Sequence, residues 1–165
     1  MKGLIKMTVD EFIEKYKELD EAGKNSLLND LITTEYVSYA TKISDCKRII
    51  QSTSYTNTEP NMFCISSPTR KMLFTVQLID RYTEIDIDHR EALNIYDKLA
   101  ENKILENLIN ALPKDEVLWY KDILDMMLED FKINERSIIG YLDSKLASLG
   151  IIGEELNKIV SEVSV

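Results

Sequence analysis

The chain has 165 residues, 44% hydrophobic and 30% charged, which is the composition of a globular protein large enough to bury one core. Its formal net charge of −9 disfavours non-specific binding to nucleic acid and binding to an anionic membrane surface. The charge serves solubility, and it would also favour a basic partner. Only five glycines and three prolines leave little material for tight turns, which favours long helices over an all-β fold.

The sequence shows no targeting or membrane-spanning pattern. The first residues, MKGLIKMTVDEF, lack the apolar h-region of a signal peptide, and no window approaches about 18 apolar residues. The two cysteines, Cys46 and Cys64, do not suggest a disulfide scaffold. We therefore expect a cytoplasmic protein.

The first two helices are short. Thr8 and Glu11 form a T-x-x-E capping box that opens a helix from about Val9 to Leu19, and Gly23 is expected to end it. Apolar residues then mark a second helix, at Leu27, Leu28, Leu31 and Ile32.

A third helix is predicted from about Tyr36 to Thr53. Apolar residues spaced by threes and fours are expected to face inward: Tyr36, Tyr39, Ile43, Cys46, Ile49 and Ile50. The other face carries Lys42, Lys47 and Arg48, either as a solvated face paired with carboxylates or as a phosphate-binding site.

Residues 54–67, SYTNTEPNMFCISS, break the helical period around Pro60 and form the best subdomain boundary. Two runs in this loop, 55–58 and 62–65, have the pattern of a small β-hairpin. Met62 and Phe63 either fold back on the core or contact a partner protein.

The stretch PTRKMLFTVQLIDRY, residues 68–82, predicts the central helix of the fold. Ser67 suits its N-cap and Pro68 its first position. At ~100° per residue its apolar side chains cover roughly 200° of the helix surface, so other helices must cover most sides of it. These side chains are Met72, Phe74, Val76, Leu78, Ile79 and Tyr82; Arg70, Gln77, Asp80 and Arg81 form a narrow polar wedge.

After the central helix, Ile85 and Ile87 are expected to face inward and Asp86 and Asp88 to face water. Asp88 and Glu91 repeat the capping pattern and open a helix over about 89–101. Its predicted core residues are Leu93, Tyr96, Leu99 and Ala100. A short helix over 104–112 follows and ends at Pro113.

Residues 115–132 predict a second strongly apolar helix. Its main inward stripe comprises Val117, Tyr120, Ile123, Leu124, Met127, Leu128 and Phe131. Trp119 and Met126 form a side stripe that is either core or a contact patch, since Trp and Met are enriched where proteins meet. Two further helices are predicted, one from Asn134 or Glu135 to Leu149 and one from Glu154 to Val163.

Two acidic groups are the candidates for metal or acid–base chemistry. The only histidine, His89, lies beside Asp86, Asp88 and Glu91, although helix N-termini attract acidic residues for dipole reasons alone. The second group lies on one helix face: Asp122, Asp125, Glu129 and Asp130. The sequence contains no Gly-rich phosphate loop, nucleophile elbow or C-x-x-C motif. We therefore predict no catalytic residue, metal or cofactor. A carboxylate metalloenzyme that uses one of these two groups is kept as an alternative hypothesis.

Three stretches, TEYVSYATKISDC, SPTRKMLFTVQLIDRYTEIDID and LWYKDILDMMLEDFKINERS, resemble small proteins encoded by tailed phages of low-GC Gram-positive bacteria. The resemblance covers about Thr8 to Gly150 and includes no catalytic motif. It implies a phage or prophage origin and assigns no functional residues.

These patterns together predict an all-α, compact bundle of about seven to eight helices around the buried helix 68–82, with room for one hairpin in 54–67. We expect one helical domain over 1–165; a division into subdomains 8–54 and 68–165 is the alternative.

The expected function is a non-enzymatic protein–protein interaction module, a phage structural or assembly component that binds itself or another phage or host protein. The alternative is an acidic inhibitor of a host factor, such as a nucleic-acid-handling or defence enzyme. Either product would lie in the bacterial cytoplasm or in the virion. The candidate partner-binding residues are Trp119, Met126, Met62 and Phe63.

Overall fold

The computed structural model describes residues 6–58 and 61–136, with the backbone alone at 55–58, 61–63 and 134–136. Contacts divide the chain into two compact units, Met1–Asp125 and Met126–Val165.

The described residues form seven α-helices and four short strands. The helices are α1 (Val9–Glu18), α2 (Glu21–Leu31), α3 (Tyr39–Thr53), α4 (Ser67–Tyr82), α5 (Ala92–Glu101), α6 (Leu105–Ala111) and α7 (Lys114–Arg136), with a 3-10 turn at His89–Glu91. The strands are β1 (Met7–Thr8), β2 (Ser54–Thr58), β3 (Asn61–Ile65) and β4 (Ile85–Asp86). Strands β2 and β3 pair as an antiparallel hairpin, and β1 pairs in parallel with β4. The predicted all-α fold and its small hairpin are confirmed.

The start of α1 matches the sequence pattern, but Gly23 does not end this helix. The backbone N–H of Thr8 donates to Glu11 Oε2 at 2.8 Å and the N–H of Glu11 donates to Thr8 Oγ1 at 3.3 Å, which completes the capping box. Gly23 lies inside α2, where its N–H donates to Asp20 Oδ1 at 2.8 Å. Asp20 is the N-cap of α2, so the first helix ends before the chain reaches Gly23.

Helix α3 begins later than the sequence pattern predicts. Ser38 is its N-cap and accepts a hydrogen bond from the N–H of Thr41 at 3.2 Å, so Tyr36 precedes the helix. The predicted inward positions of Tyr36 and Tyr39 are wrong, since their side chains are 58% and 49% exposed. Lys42 is paired with a carboxylate, that of Glu116, as one alternative predicted, but its side chain is fully buried rather than solvated.

Helix α4 is the central helix, as predicted, and contacts α3, α5 and α6. Its N-cap is Ser66 rather than Ser67, and the Ser66 hydroxyl pairs with the Thr69 hydroxyl at 2.7 Å instead of capping a backbone N–H. Val76, Ile79 and Tyr82 are fully buried. Gln77, from the predicted polar wedge, is also buried and faces other polar groups rather than water.

The connector and α5 follow the predicted pattern in part. Ile85 and Ile87 are buried and Asp86 and Asp88 are exposed, as predicted. The core residues of α5 are Ala92, Ile95 and Leu99, whereas Leu93 and Ala100 are exposed, against the prediction. Ala92, Ile95 and Leu99, spaced by three and four residues, form the helical stripe that faces the core, and Leu93 lies outside this stripe.

Helix α7 runs through the break that the sequence predicts at Asn134 or Glu135. The rest of the predicted helix to Leu149 and the predicted helix over 154–163 lie outside the described residues. Among the helices that the structure describes, none is long and apolar enough to cross a membrane.

Candidate functional site

A buried carboxylate joins α3, α4 and α7. Asp45 on α3 is 3% exposed and receives two hydrogen bonds from Arg81 on α4, from Nε at 2.8 Å and from Nη2 at 2.9 Å. This two-point contact is the strongest geometry available to a guanidinium and a carboxylate.

Three more side chains complete what we call the Asp45 cluster: Arg48, Gln77 and Tyr120. The Tyr120 hydroxyl donates to Asp45 at 2.6 Å, the Gln77 amide at 3.2 Å, and Arg48 at 3.3 Å. Arg48 also donates to Gln77 Oε1. Five donors therefore occupy the roughly four lone-pair positions of one carboxylate, which leaves Asp45 no free position from which to act as a base.

The environment of Asp45 changes its pKa in two opposite directions. Burial raises the pKa, but hydrogen bonds from Arg81 and Tyr120 and the charges of Arg81 and Arg48 lower it more. The net pKa of this carboxyl lies below its ordinary value of 3.8.

Lowering the pH should therefore reduce the free energy of unfolding as the Asp45 carboxylate becomes protonated. Because the folded-state pKa is the lower one, the carboxylate stabilises the fold above its unfolded pKa, and this contribution is lost as the pH falls through the folded-state pKa. Urea unfolding between about pH 7 and pH 3 should show a flatter pH dependence for Asp45→Asn than for the natural chain. Identical pH profiles for the two proteins would contradict this prediction.

A second ion pair, between a fully buried lysine and a partly buried glutamate, lies about one helical turn earlier on α3. Lys42 donates to Glu116 Oε2 on α7 at 2.8 Å. The same oxygen accepts from the Tyr82 hydroxyl at 3.0 Å and from the backbone N–H of Val37 at 3.2 Å. Burial raises the pKa of Glu116, but these three donors lower it more, so the group is a carboxylate at neutral pH. We call Lys42, Tyr82 and Glu116 the Lys42 cluster.

Above the Lys42 cluster lies an exposed group of rings, the aromatic face, formed by Tyr36, Tyr39 and Trp119. The Trp119 ring stacks on Tyr39 with centroids 5.9 Å apart and lies 6.3 Å from Tyr36. The buried Lys42 ammonium lies 3.8 Å from the Trp119 ring centroid and 5.1 Å from that of Tyr36. Cation–π attraction therefore ties these exposed rings to a buried, charge-paired group.

The structure places two of the predicted partner-binding residues at the surface. Trp119 is 40% exposed and Met126 is 54% exposed; Trp119 belongs to the first unit and Met126 to the second. Met62 and Phe63 lie on β3, and their side chains are outside the described part of the chain.

One carboxylate of each acidic candidate forms a local ion pair. Asp88 pairs with Arg90 at 2.8 Å, and His89 contacts Asp80 at 3.2 Å. On α7, Asp125 pairs with Lys121 at 3.0 Å. Over residues 6–58 and 61–136, no group of three or more His, Cys, Asp or Glu side chains is arranged to hold a metal ion.

Sequence reasoning missed Tyr36 and Tyr39 as surface residues, although one signal was present. Ser38 is a preferred N-cap residue, and a helix that begins after Ser38 leaves Tyr36 outside the helical stripe. It also missed the burial of Lys42 and Asp45, for which hydrophobicity gives no indication.

Comparisons of this chain with protein-family models, with curated proteins and with solved structures give no match.

Proposed function

We propose that the chain is a non-enzymatic protein–protein interaction module that binds its partner through the aromatic face. The observation that carries this proposal is the exposure of Tyr36, Tyr39 and Trp119 as one contiguous group fixed by a buried ion pair. Trp and Tyr are the residues most enriched among those that dominate binding energy at interfaces.

The Lys42 cluster supports this role because it holds the rings in place before binding. Trp119 lies against Lys42 and Tyr39, so it has little side-chain freedom left to lose. Binding by a preordered aromatic surface costs less conformational entropy than binding by mobile side chains.

Charge indicates the chemistry of the partner. With a net charge of −9, the chain attracts a basic surface at long range, and Lys or Arg side chains can stack on exposed Tyr rings at short range. We therefore propose a basic protein segment as the partner. The resemblance to tailed-phage proteins favours a component of the phage particle or of its assembly.

Changing both exposed tyrosines tests the proposal. Tyr36→Ser with Tyr39→Ser should weaken binding by about 100-fold or more, since each replacement removes a ring typical of dominant interface positions. A partner captured from cells that express the gene would be purified and titrated against both proteins by calorimetry. Light scattering on the purified chain would measure its mass in solution and so show whether the partner is a second copy.

Leu93→Ser is the matched control, because Leu93 is 62% exposed but lies on α5. It should bind like the natural chain. Equal affinity of the double tyrosine variant and the natural chain would refute the aromatic face as the docking surface.

The net charge also favours a second candidate, an acidic inhibitor of a basic host enzyme. That function predicts binding that falls steeply with salt and is insensitive to the tyrosine replacements. Because a basic partner of the aromatic face would also respond to salt, the tyrosine replacements distinguish the two functions: they weaken binding only if the aromatic face is the docking surface.

A further inference from the structure

A polar cleft lies between α1, α2 and α6, and none of its lining residues belongs to the aromatic face. Its volume is about 330 Å³. Four asparagines line it, Asn25 and Asn29 from α2 and Asn107 and Asn110 from α6. The whole chain has ten asparagines, so this concentration in one cleft is high.

Helical spacing explains why these side chains converge. Asn25 and Asn29 are four residues apart and Asn107 and Asn110 are three apart, so each pair lies on one face of its helix. Helices α2 and α6 are in contact, which brings the two pairs to one cleft. The Asn107 amide donates to the Tyr16 hydroxyl at 3.1 Å, which fixes one wall.

The other three amides are available to a ligand. The side chains of Asn25, Asn29 and Asn110 form no hydrogen bond with the described part of the chain. Each amide offers two donors and one acceptor oxygen. The cleft therefore presents donors and acceptors side by side.

The remaining lining makes the cleft electrically balanced and partly apolar. Glu21 pairs with Lys24 at 2.8 Å, so its charge is compensated at the rim. The partly exposed Ala111, with the small exposed part of Leu28, supplies a limited apolar patch. A cleft of this kind does not select an ion.

We propose that this cleft binds a neutral polyhydroxylated ligand, a mono- or disaccharide. A hydroxyl both donates and accepts, and two adjacent hydroxyls match the N–H and C=O of one amide. The C–H face of a sugar ring fits against Leu28 and Ala111. The volume is at the small end of ligand sites, which suits one or two rings better than an extended peptide.

Side-chain amide signals in ¹⁵N–¹H NMR spectra test this directly. Glucose, N-acetylglucosamine and maltose would each be titrated into the full chain, with N-acetyl-triglycine amide and inorganic phosphate as comparison probes. At least one saccharide should shift the Asn25, Asn29, Asn107 and Asn110 signals saturably, while those of Asn94 on α5 stay in place.

Asn29→Leu with Asn110→Leu should weaken saccharide binding about 10- to 30-fold, as expected for the loss of two hydrogen-bonding groups. Asn94→Leu is the matched control and should bind normally. Asn25→Ser with Asn29→Ser provides a second test if the leucine variant does not fold. The proposal is overturned if no saccharide shifts the cleft signals, if only the peptide or phosphate does, or if the variants keep full affinity.

Discussion

Replacing Asp45 with alanine is expected to lower the free energy of unfolding by about 3–5 kcal/mol, the range seen when one partner of a buried ion pair is removed. The replacement leaves the Tyr120 hydroxyl and the Gln77 amide without their acceptor. Both side chains are almost completely buried, so water cannot replace the lost contacts without opening the core. Urea unfolding at pH 7, followed by circular dichroism, measures the loss.

Asp122→Ala is the matched control for this experiment, since Asp122 is an exposed carboxylate on α7. It should change the free energy of unfolding by less than about 0.5 kcal/mol. If Asp45→Ala is no more destabilising than Asp122→Ala, the Asp45 cluster does not hold the three helices together.

Replacing Lys42 with methionine is expected to lower the free energy of unfolding by about 3 kcal/mol. Glu116 would lose its cation but keep its hydrogen bonds from Tyr82 and Val37, which places the effect at the low end of the range for buried pairs. Trp119 is the only tryptophan, so a change in its fluorescence would report directly on the aromatic face.

Lys121→Ala is the control for Lys42, because Lys121 pairs with Asp125 at the surface. This exposed pair should contribute less than about 1 kcal/mol. Adding Glu116→Leu to Lys42→Met should cost less than the sum of the two single replacements, since the double variant leaves no unpaired charge. Strict additivity would show that the two side chains do not interact.

Local sequence patterns predicted the helices well where the determinants are neighbours in the chain. Thr8 and Glu11 complete their capping box within one turn, and the alternation at Ile85 and Ile87 fixes which side of the connector is buried. The apolar spacing predicts too early a start for α3, since it extends to Tyr36, whereas the N-cap of this helix is Ser38.

The candidate site was harder to predict because its polar residues occupy helix positions normally filled by apolar ones. Lys42 lies four residues before the buried Cys46, and Glu116 four before the buried Tyr120, so both are in register with the core stripes. A prediction from hydrophobicity alone places such charged side chains in contact with water. Burial of such a residue becomes favourable only when it meets its partner. Lys42 and Glu116, for example, are 74 residues apart in the chain.

The sequence by itself determined the all-α class, the central position of α4 and the small hairpin, since capping, periodicity and turn composition act over a few residues. Tertiary structure alone decided that a lysine and an aspartate of α3 are buried and that Tyr36 and Tyr39 are exposed beside Trp119. The physical reason is that the free energy of a buried charge depends on partners from other helices, which no local pattern contains.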